Sequence, residues 1–434
     1  MSGGEGRRRA LVVAYFYPPL GGAGVQRTAK FAKHLPSFGW DATALTVRAA
    51  DYWMRDPTLL GDLPPGQEIL RTRSLTGVSL FASLSRFFGR RGDASRRRSV
   101  RRIARLSQWA FVPDTYVGWI PFAVRAAARR LDRGGIDLLY TTSSPDSAHL
   151  VGLALARRGI PWVADFRDPW TRRLTFEPPT PFHRRLHETL ETRVLERADR
   201  VVVTSERTAA DFRRRHPRLP ARKIVTITNG FDESDFPDEE PVSFLRPTIV
   251  HTGQLTGRRT IEPLLSGLAA LAAKDPEGQC RVSVLLIGPR EAENEERVRR
   301  RGLEHVVRFL DPIPHREVTR FQRGASALLL IESGEERGSL ILPGKAFEYL
   351  AAQRPIVAIV PNGAAKDLLE PLGCAVFASP NDPASIATAL EAVREGNLPR
   401  PAPLEALNCY SRQQLAGRLA ALFDEVISER VERS

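Results

Sequence analysis

Four short stretches of this sequence place glycine, basic and carboxylate residues directly behind apolar runs. Gly21-Gly22-Ala23-Gly24 follows the run 10–16. Glycines let a backbone approach an anion closely, and the amides that open a helix favour negative charge, so Gly22 and Gly24 suit phosphate or sugar contact. A plain tight turn is the competing reading. The spacing is neither the dinucleotide fingerprint nor a P-loop. Residues 161–170 end a second run and present Asp165, Arg167 and Asp168 together. Such a trio can hold sugar hydroxyls or pair internally, and its spacing alone does not define an acid and a base. The stretch His251-Thr-Gly253-Gln-Leu-Thr-Gly-Arg258-Arg259 brings two guanidinium forks, whose geometry matches phosphate oxygens. Finally, in residues 340–357, Lys345 can sit near phosphate while Glu348 can accept from ribose hydroxyls.

The elements that must position these residues are readable from pattern. The run at 10–15 is continuously apolar, which marks a strand buried on both faces, and apolar-rich runs at 40–47, 138–140, 162–164, 200–204 and 223–227 read as further strands. Amphipathic patterns at 25–38, 124–131, 149–157, 185–198 and 207–214 alternate with them. A second series has strands at 248–252, 282–287, 306–309, 327–330, 356–359 and 375–377, with a helix at 261–274. Between the two series lies an acid- and proline-rich segment that reads as a linker. The expected organisation is residues 1–232, a linker at 233–247, a second domain at 248–405, and a C-terminal segment at 406–434. Its helix, 411–428, carries Leu415, Leu419, Leu422 and Val426 on one face, so it must dock on something. Strand and helix in alternation give an α/β protein of two doubly wound, Rossmann-like domains, expected to face each other across a cleft.

Length and composition agree with this plan. At 434 residues, with 42% apolar and 26% charged residues, the chain is too long for one ordinary core. No run is long enough to cross a membrane, and the opening 16 residues lack the form of a signal peptide. Three scattered cysteines fit a reducing cytoplasm and make no metal pattern. The formal charge is +14, and residues 86–105 hold nine arginines against one acid, Asp93. That field suits an anionic headgroup or acceptor as well as it suits a solvated surface. Arg97, Arg98, Arg101 and Arg102, with Trp109 and Trp119 close behind, are the candidate acceptor or membrane patch. No nucleic-acid-binding signature accompanies them.

Taken in order, Tyr17-Pro-Pro-Leu-Gly-Gly-Ala-Gly-Val-Gln, Pro113-Asp-Thr-Tyr-Val-Gly-Trp119, Asp165-Phe-Arg-Asp-Pro-Trp, Ile227-Thr-Asn-Gly-Phe-Asp, the Gly253 stretch and residues 344–357 resemble the retaining glycosyltransferases of family 4. The bacterial members used in surface-polysaccharide assembly are the most similar. The resemblance implies a GT-B fold and a nucleotide-sugar donor linked to UDP or GDP, with no cofactor and no metal. It implies that Gly22 and Gly24 approach the donor from the first domain. Gly253 and Arg259 take the places of the family's second-domain glycine and diphosphate-binding lysine. Glu348 takes that of the ribose-holding glutamate. It also implies a terminal helix crossing back onto the first domain. Three positions depart from the family: Leu340 replaces the first of two paired glutamates, Gln254 an arginine, and Arg167 a histidine.

The expected reaction is transfer of a sugar to an acceptor hydroxyl with retention of configuration. Arg259, Arg258 and Lys345 would stabilise the leaving diphosphate, while Asp165, Arg167 and Asp168 orient the reacting groups. A polyprenyl-linked or other amphiphilic acceptor would place the enzyme in the cytoplasm on the inner face of the membrane. The alternatives are a soluble transferase making a small glycoside and a non-catalytic sugar-nucleotide-binding or scaffolding protein.

Overall fold

The computed structural model describes residues 6–49, 56–75, 108–236, 239–255, 257–274 and 282–433. Arg97, Arg98, Arg101, Arg102 and Cys280 lie outside the described residues. The chain forms two compact units. The first comprises residues 1–204, 208–227 and 415–434; the second comprises 205–207 and 228–414.

The first unit is built on seven parallel strands: β1 (Arg8–Val13), β2 (Trp40–Val47), β3 (Ile69–Thr72), β4 (Leu138–Thr142), β5 (Trp162–Phe166), β6 (Arg200–Val203) and β7 (Ile224–Thr226). Their order is β3-β2-β1-β4-β5-β6-β7, so the chain reverses direction across the sheet between β1 and β4. Register there pairs Val12 with both Ala44 and Tyr140. Both faces are covered, which explains why apolar residues dominate the strands. Leu11 and Val13 enter one core with Trp119, Val151 and Leu195. Ala10 and Val12 enter another with Leu415, Leu419, Phe423 and Val426.

Those last four residues belong to the C-terminal helix Arg412–Arg433. Its apolar face packs into the first unit, and Trp40 meets Phe423 edge-on at 5.1 Å. Arg430 grips Asp199 through two bonds of 3.1 and 2.9 Å at the far end. The helix expected over residues 25–38 is instead an α-helix, Ala23–His34, that tightens to a 3-10 turn, Leu35–Phe38. Pro36, which lacks an amide hydrogen, and Gly39 at φ 79° end it.

The second unit has six parallel strands: β8 (Thr248–Thr252), β9 (Ser283–Ile287), β10 (Val307–Leu310), β11 (Ala327–Ile331), β12 (Ile356–Ile359) and β13 (Ala375–Ala378). The order β10-β9-β8-β11-β12-β13 repeats the first sheet's plan, with the reversal between β8 and β11. Ile249 and Leu329 fill one side with the helices Glu262–Lys274 and Pro383–Glu395. Val250 and Leu328 fill the other with Phe347 and Tyr349. Helices Ala292–Arg300 and His315–Gly324 complete the layers; rich in charge, they carry little apolar signal in the sequence. In open parallel sheets, ligands bind beyond the carboxyl ends of the strands at such a reversal point.

Candidate functional site

In the second unit, β8 runs straight into Gly253, whose φ is 100°, in the left-handed region that favours glycine. A side chain there would also collide: its Cβ would lie 2.4 Å from the Lys345 Nζ. Gly253 is therefore required twice, once for the turn and once to seat the ammonium. Lys345 lies in the first turn of the helix Gly344–Ala351, and Glu348 follows about one turn later. Across the reversal point, Glu332 stands directly behind β11 with its side chain 1% exposed. Arg259 Nε donates to Glu332 Oε2 at 2.6 Å.

The site thus gathers two cations and two carboxylates around one glycine. Burial, then Arg259, pushes Lys345 down to about 8, while Glu348 and Glu332 pull the other way. Buried His251 is pushed down to about 3 by desolvation and by Lys345. It is neutral, with Nδ1 2.8 Å from the carbonyl of Leu329. Among the described residues, the Lys345 ammonium, the Glu348 carboxylate and the two terminal nitrogens of Arg259 have no hydrogen-bond partner. These are groups that a diphosphate and a ribose can use. Gly253→Ala is expected to weaken nucleoside diphosphate binding at least tenfold, since Lys345 must leave its seat and the backbone is strained. Calorimetric titration of the variant with UDP and GDP checks this, and unchanged affinity would refute it.

Arg258 differs from its neighbour. It is 44% exposed and pairs at 2.5 Å with Glu335, which is equally exposed. Gln254 donates to Glu291 at 2.9 Å. Leu340 accepts a bond from Ser205 Oγ through its carbonyl. Glu332 was not legible as a site residue. Its position as the first residue past an apolar strand was the available signal.

In the first unit, Gly22 caps the helix Ala23–His34 at φ 102° and is exposed. The Gly24 carbonyl accepts a 2.7 Å bond from Arg167 Nη1, so the sheet's β1 and β5 loops are tied together. Asp168 is half-buried between the charges of Arg167 and Arg173, with no hydrogen bond among the described residues. It stays available to a ligand.

Two expectations need correction. Asp165, read as a group that orients substrate, is fully buried. It receives Arg27 Nε and Nη2, each at 3.0 Å, with Tyr140 Oη at 2.7 Å and Thr142 Oγ1 at 2.9 Å. Burial would push its carboxyl up, but Arg27 and these bonds hold it below the ordinary value. Its partner is Arg27 and not Arg167, and the pair anchors the fold. Trp119, placed in a surface patch, is also fully buried; its Nε1 donates to Thr72 Oγ1 at 2.7 Å. Trp109 is the exposed one, at 57%, with its ring 5.5 Å from His183.

A cavity of about 290 Å³ opens in the first unit, with Asp114, Arg173, Phe176 and His187 in its wall. Arg173 is held there by Ser144 and by Asp146, a buried carboxyl that desolvation pushes up to about 7 against the pull of Arg173. No group of three or more metal-ligating side chains occurs among the described residues. No described helix is long and apolar enough to cross a membrane.

Comparison with known proteins agrees with the fold. The family model for Glycosyltransferase Family 4 matches residues 82–235, and that for Glycosyl transferases group 1 matches 246–395. The chain is 26% identical over 215 residues to D-inositol 3-phosphate glycosyltransferase 2 of Catenulispora acidiphila, a stretch covering 46% of this chain and 49% of that protein. It spans about half the length of the curated relatives it matches. In fold it is similar to sucrose-phosphate synthase of Thermosynechococcus elongatus, with a TM-score of 0.65, 16% identity and coverage of 98% of this chain and 100% of that one. It is also similar to HepE of Anabaena, solved with UDP and glucose: TM-score 0.56, 14% identity, covering 98% and 99%. With two Rossmann-like sheets, each unit matched by a glycosyltransferase family model, the chain belongs to the GT-B glycosyltransferases of family 4.

Proposed function

We propose that this protein transfers a sugar, with retention of anomeric configuration, from a UDP- or GDP-linked donor bound on the second unit to an acceptor hydroxyl. The observation that carries the reading is the pairing of Arg259 and Lys345 beside Gly253, at the carboxyl ends of the second sheet. Breaking the bond to the anomeric carbon leaves negative charge on the diphosphate. Two half-buried cations stabilise that charge as it develops, because their environment screens it less than water does. Glu348, next to them, accepts from the ribose hydroxyls.

Lys345 gives the reading a pH signature. An ammonium with a free-protein value near 8 is charged below that pH and binds the diphosphate; above it, the charge is lost. Affinity for UDP or GDP is expected to be level from pH 6.5 to 7.5 and to fall toward tenfold per pH unit above 8. Lys345→Met should bind weakly at every pH and flatten the profile. A wild-type profile that stays level to pH 9.5 would remove Lys345 from the phosphate site.

We assign the acceptor to the first unit, near Asp168 and the cavity beside Arg173. The curated relatives act on an inositol phosphate, which favours a small, anionic acceptor. An amphiphilic acceptor at a membrane surface is the second reading, favoured by exposed Trp109 and Phe182. The test is to incubate the full chain with UDP- and GDP-sugars, with inositol 3-phosphate or with a polyprenyl-phosphate-linked sugar in vesicles. Release of nucleoside diphosphate and the anomer of the product are then read by NMR. Release only with the soluble acceptor supports the first reading, and release only with vesicles the second. Nucleotide binding with no release under either condition would make the protein a binding subunit.

A further inference from the structure

We infer that Glu332 is a positioning residue that aims the Arg259 fork at the donor diphosphate. This rests on the donor-site reading above and goes beyond it by naming what holds the cation in place. Arginine has a long side chain with about 2 kcal/mol of rotamer entropy to lose, so a loop-borne arginine binds phosphate well only if something fixes it first.

Glu332 is built to do this. It is the first residue past β11, the strand paired with β8, so a rigid sheet fixes its backbone. Its side chain is 1% exposed, against 33% for Arg259. The bond uses the Arg259 Nε edge, at 2.6 Å from Oε2. That choice leaves both terminal nitrogens without a partner among the described residues, which is the paired donor set that phosphate oxygens accept. Glu332 also offsets the repulsion between Arg259 and Lys345 before any anion arrives. At Leu340, where the family places the first of its paired glutamates, no carboxylate is present.

A carboxylate so close to a diphosphate also repels it, so removal has two opposed effects. Glutamine separates them: its amide oxygen still accepts from Nε, while the negative charge is gone. The expected pattern, measured by ligand-observed NMR titration of the full chain with UDP and GDP, has three parts. Glu332→Ala weakens binding about tenfold, the worth of one oriented charge-assisted bond. Glu332→Gln stays within about threefold of wild type or binds more tightly. In an Arg259→Ala background, Glu332→Ala adds no further loss, because there is no fork left to aim.

Melting temperatures of all variants are recorded alongside, and an unfolded Glu332→Ala leaves the glutamine variant and its Arg259→Ala double to decide. Three results would overturn the inference: an unchanged Glu332→Ala, a glutamine variant as weak as the alanine one, or a loss that persists without Arg259. Wild-type protein that binds neither nucleotide would instead refute the donor-site reading itself.

Discussion

Arg259→Ala is expected to slow sugar transfer by about a hundredfold and to weaken donor binding at the same time. The magnitude follows from removing one fixed donor to the charge that develops on a leaving group. Both constants fall because the diphosphate is present in the bound donor and gains charge only in the transition state, so the lost contact serves each. The adjacent Arg258→Ala is the control. That side chain is 44% exposed and pairs with an equally exposed Glu335, an arrangement screened by solvent. Its loss should leave both constants within about threefold of wild type. Steady-state kinetics of the two variants against the natural protein decide the matter. Equal effects from the two arginines would mean that the tie between Arg259 and Glu332 has no bearing on the donor.

The second large effect is on stability. Asp165→Ala should destabilise the protein by about 3–5 kcal/mol, the cost of leaving one member of a buried ion pair without its partner. Arg27, 1% exposed, would lose both bonds to the carboxylate, and the hydroxyls of Tyr140 and Thr142 would lose their acceptor. The 2.9 Å bond from Arg27 to the carbonyl of Ile227 would remain. Asp168→Ala, on a half-buried carboxylate without such bonds, should change stability by less than about 1 kcal/mol and act on transfer instead. Denaturant melts paired with activity assays separate the two aspartates. A stable but inactive Asp165→Ala would restore that residue to the chemistry.

These two aspartates show where the sequence was legible and where it was not. The strands were, because a strand covered on both faces is rich in apolar residues: β2, β8 and β12 lie where the runs at 40–47, 248–252 and 356–359 place them. The short strand β3 was missed since its four residues, Ile69–Thr72, are only half-buried and carry a weak apolar signal. The polar groups were harder. Asp165 and Asp168 are three residues apart on one strand end, yet one points into the sheet's core and the other does not. Sequence spacing cannot show that Arg27, 138 positions away, reaches back to claim the first. Trp119 was misplaced for a related reason: in sequence it follows the arginine-rich stretch 86–105, while its neighbours in space are Tyr15 and Thr72.

In the second unit the pattern is reversed. Gly253, Arg259, Lys345 and Glu348 were picked out one stretch at a time, and the fold brings Gly253, Arg259 and Lys345 together with Glu348 beside Lys345. Glu332 escaped notice because a lone glutamate after a strand has no distinctive neighbours. Its 2.6 Å bond to Arg259 identifies it.

A crystal structure of the full chain with UDP or GDP bound tests the central claim most directly. The diphosphate is expected on Arg259 and Lys345 beside Gly253, with the ribose hydroxyls on Glu348. A nucleotide whose phosphates sit elsewhere, leaving Arg259 on Glu332 and Lys345 untouched, would contradict it.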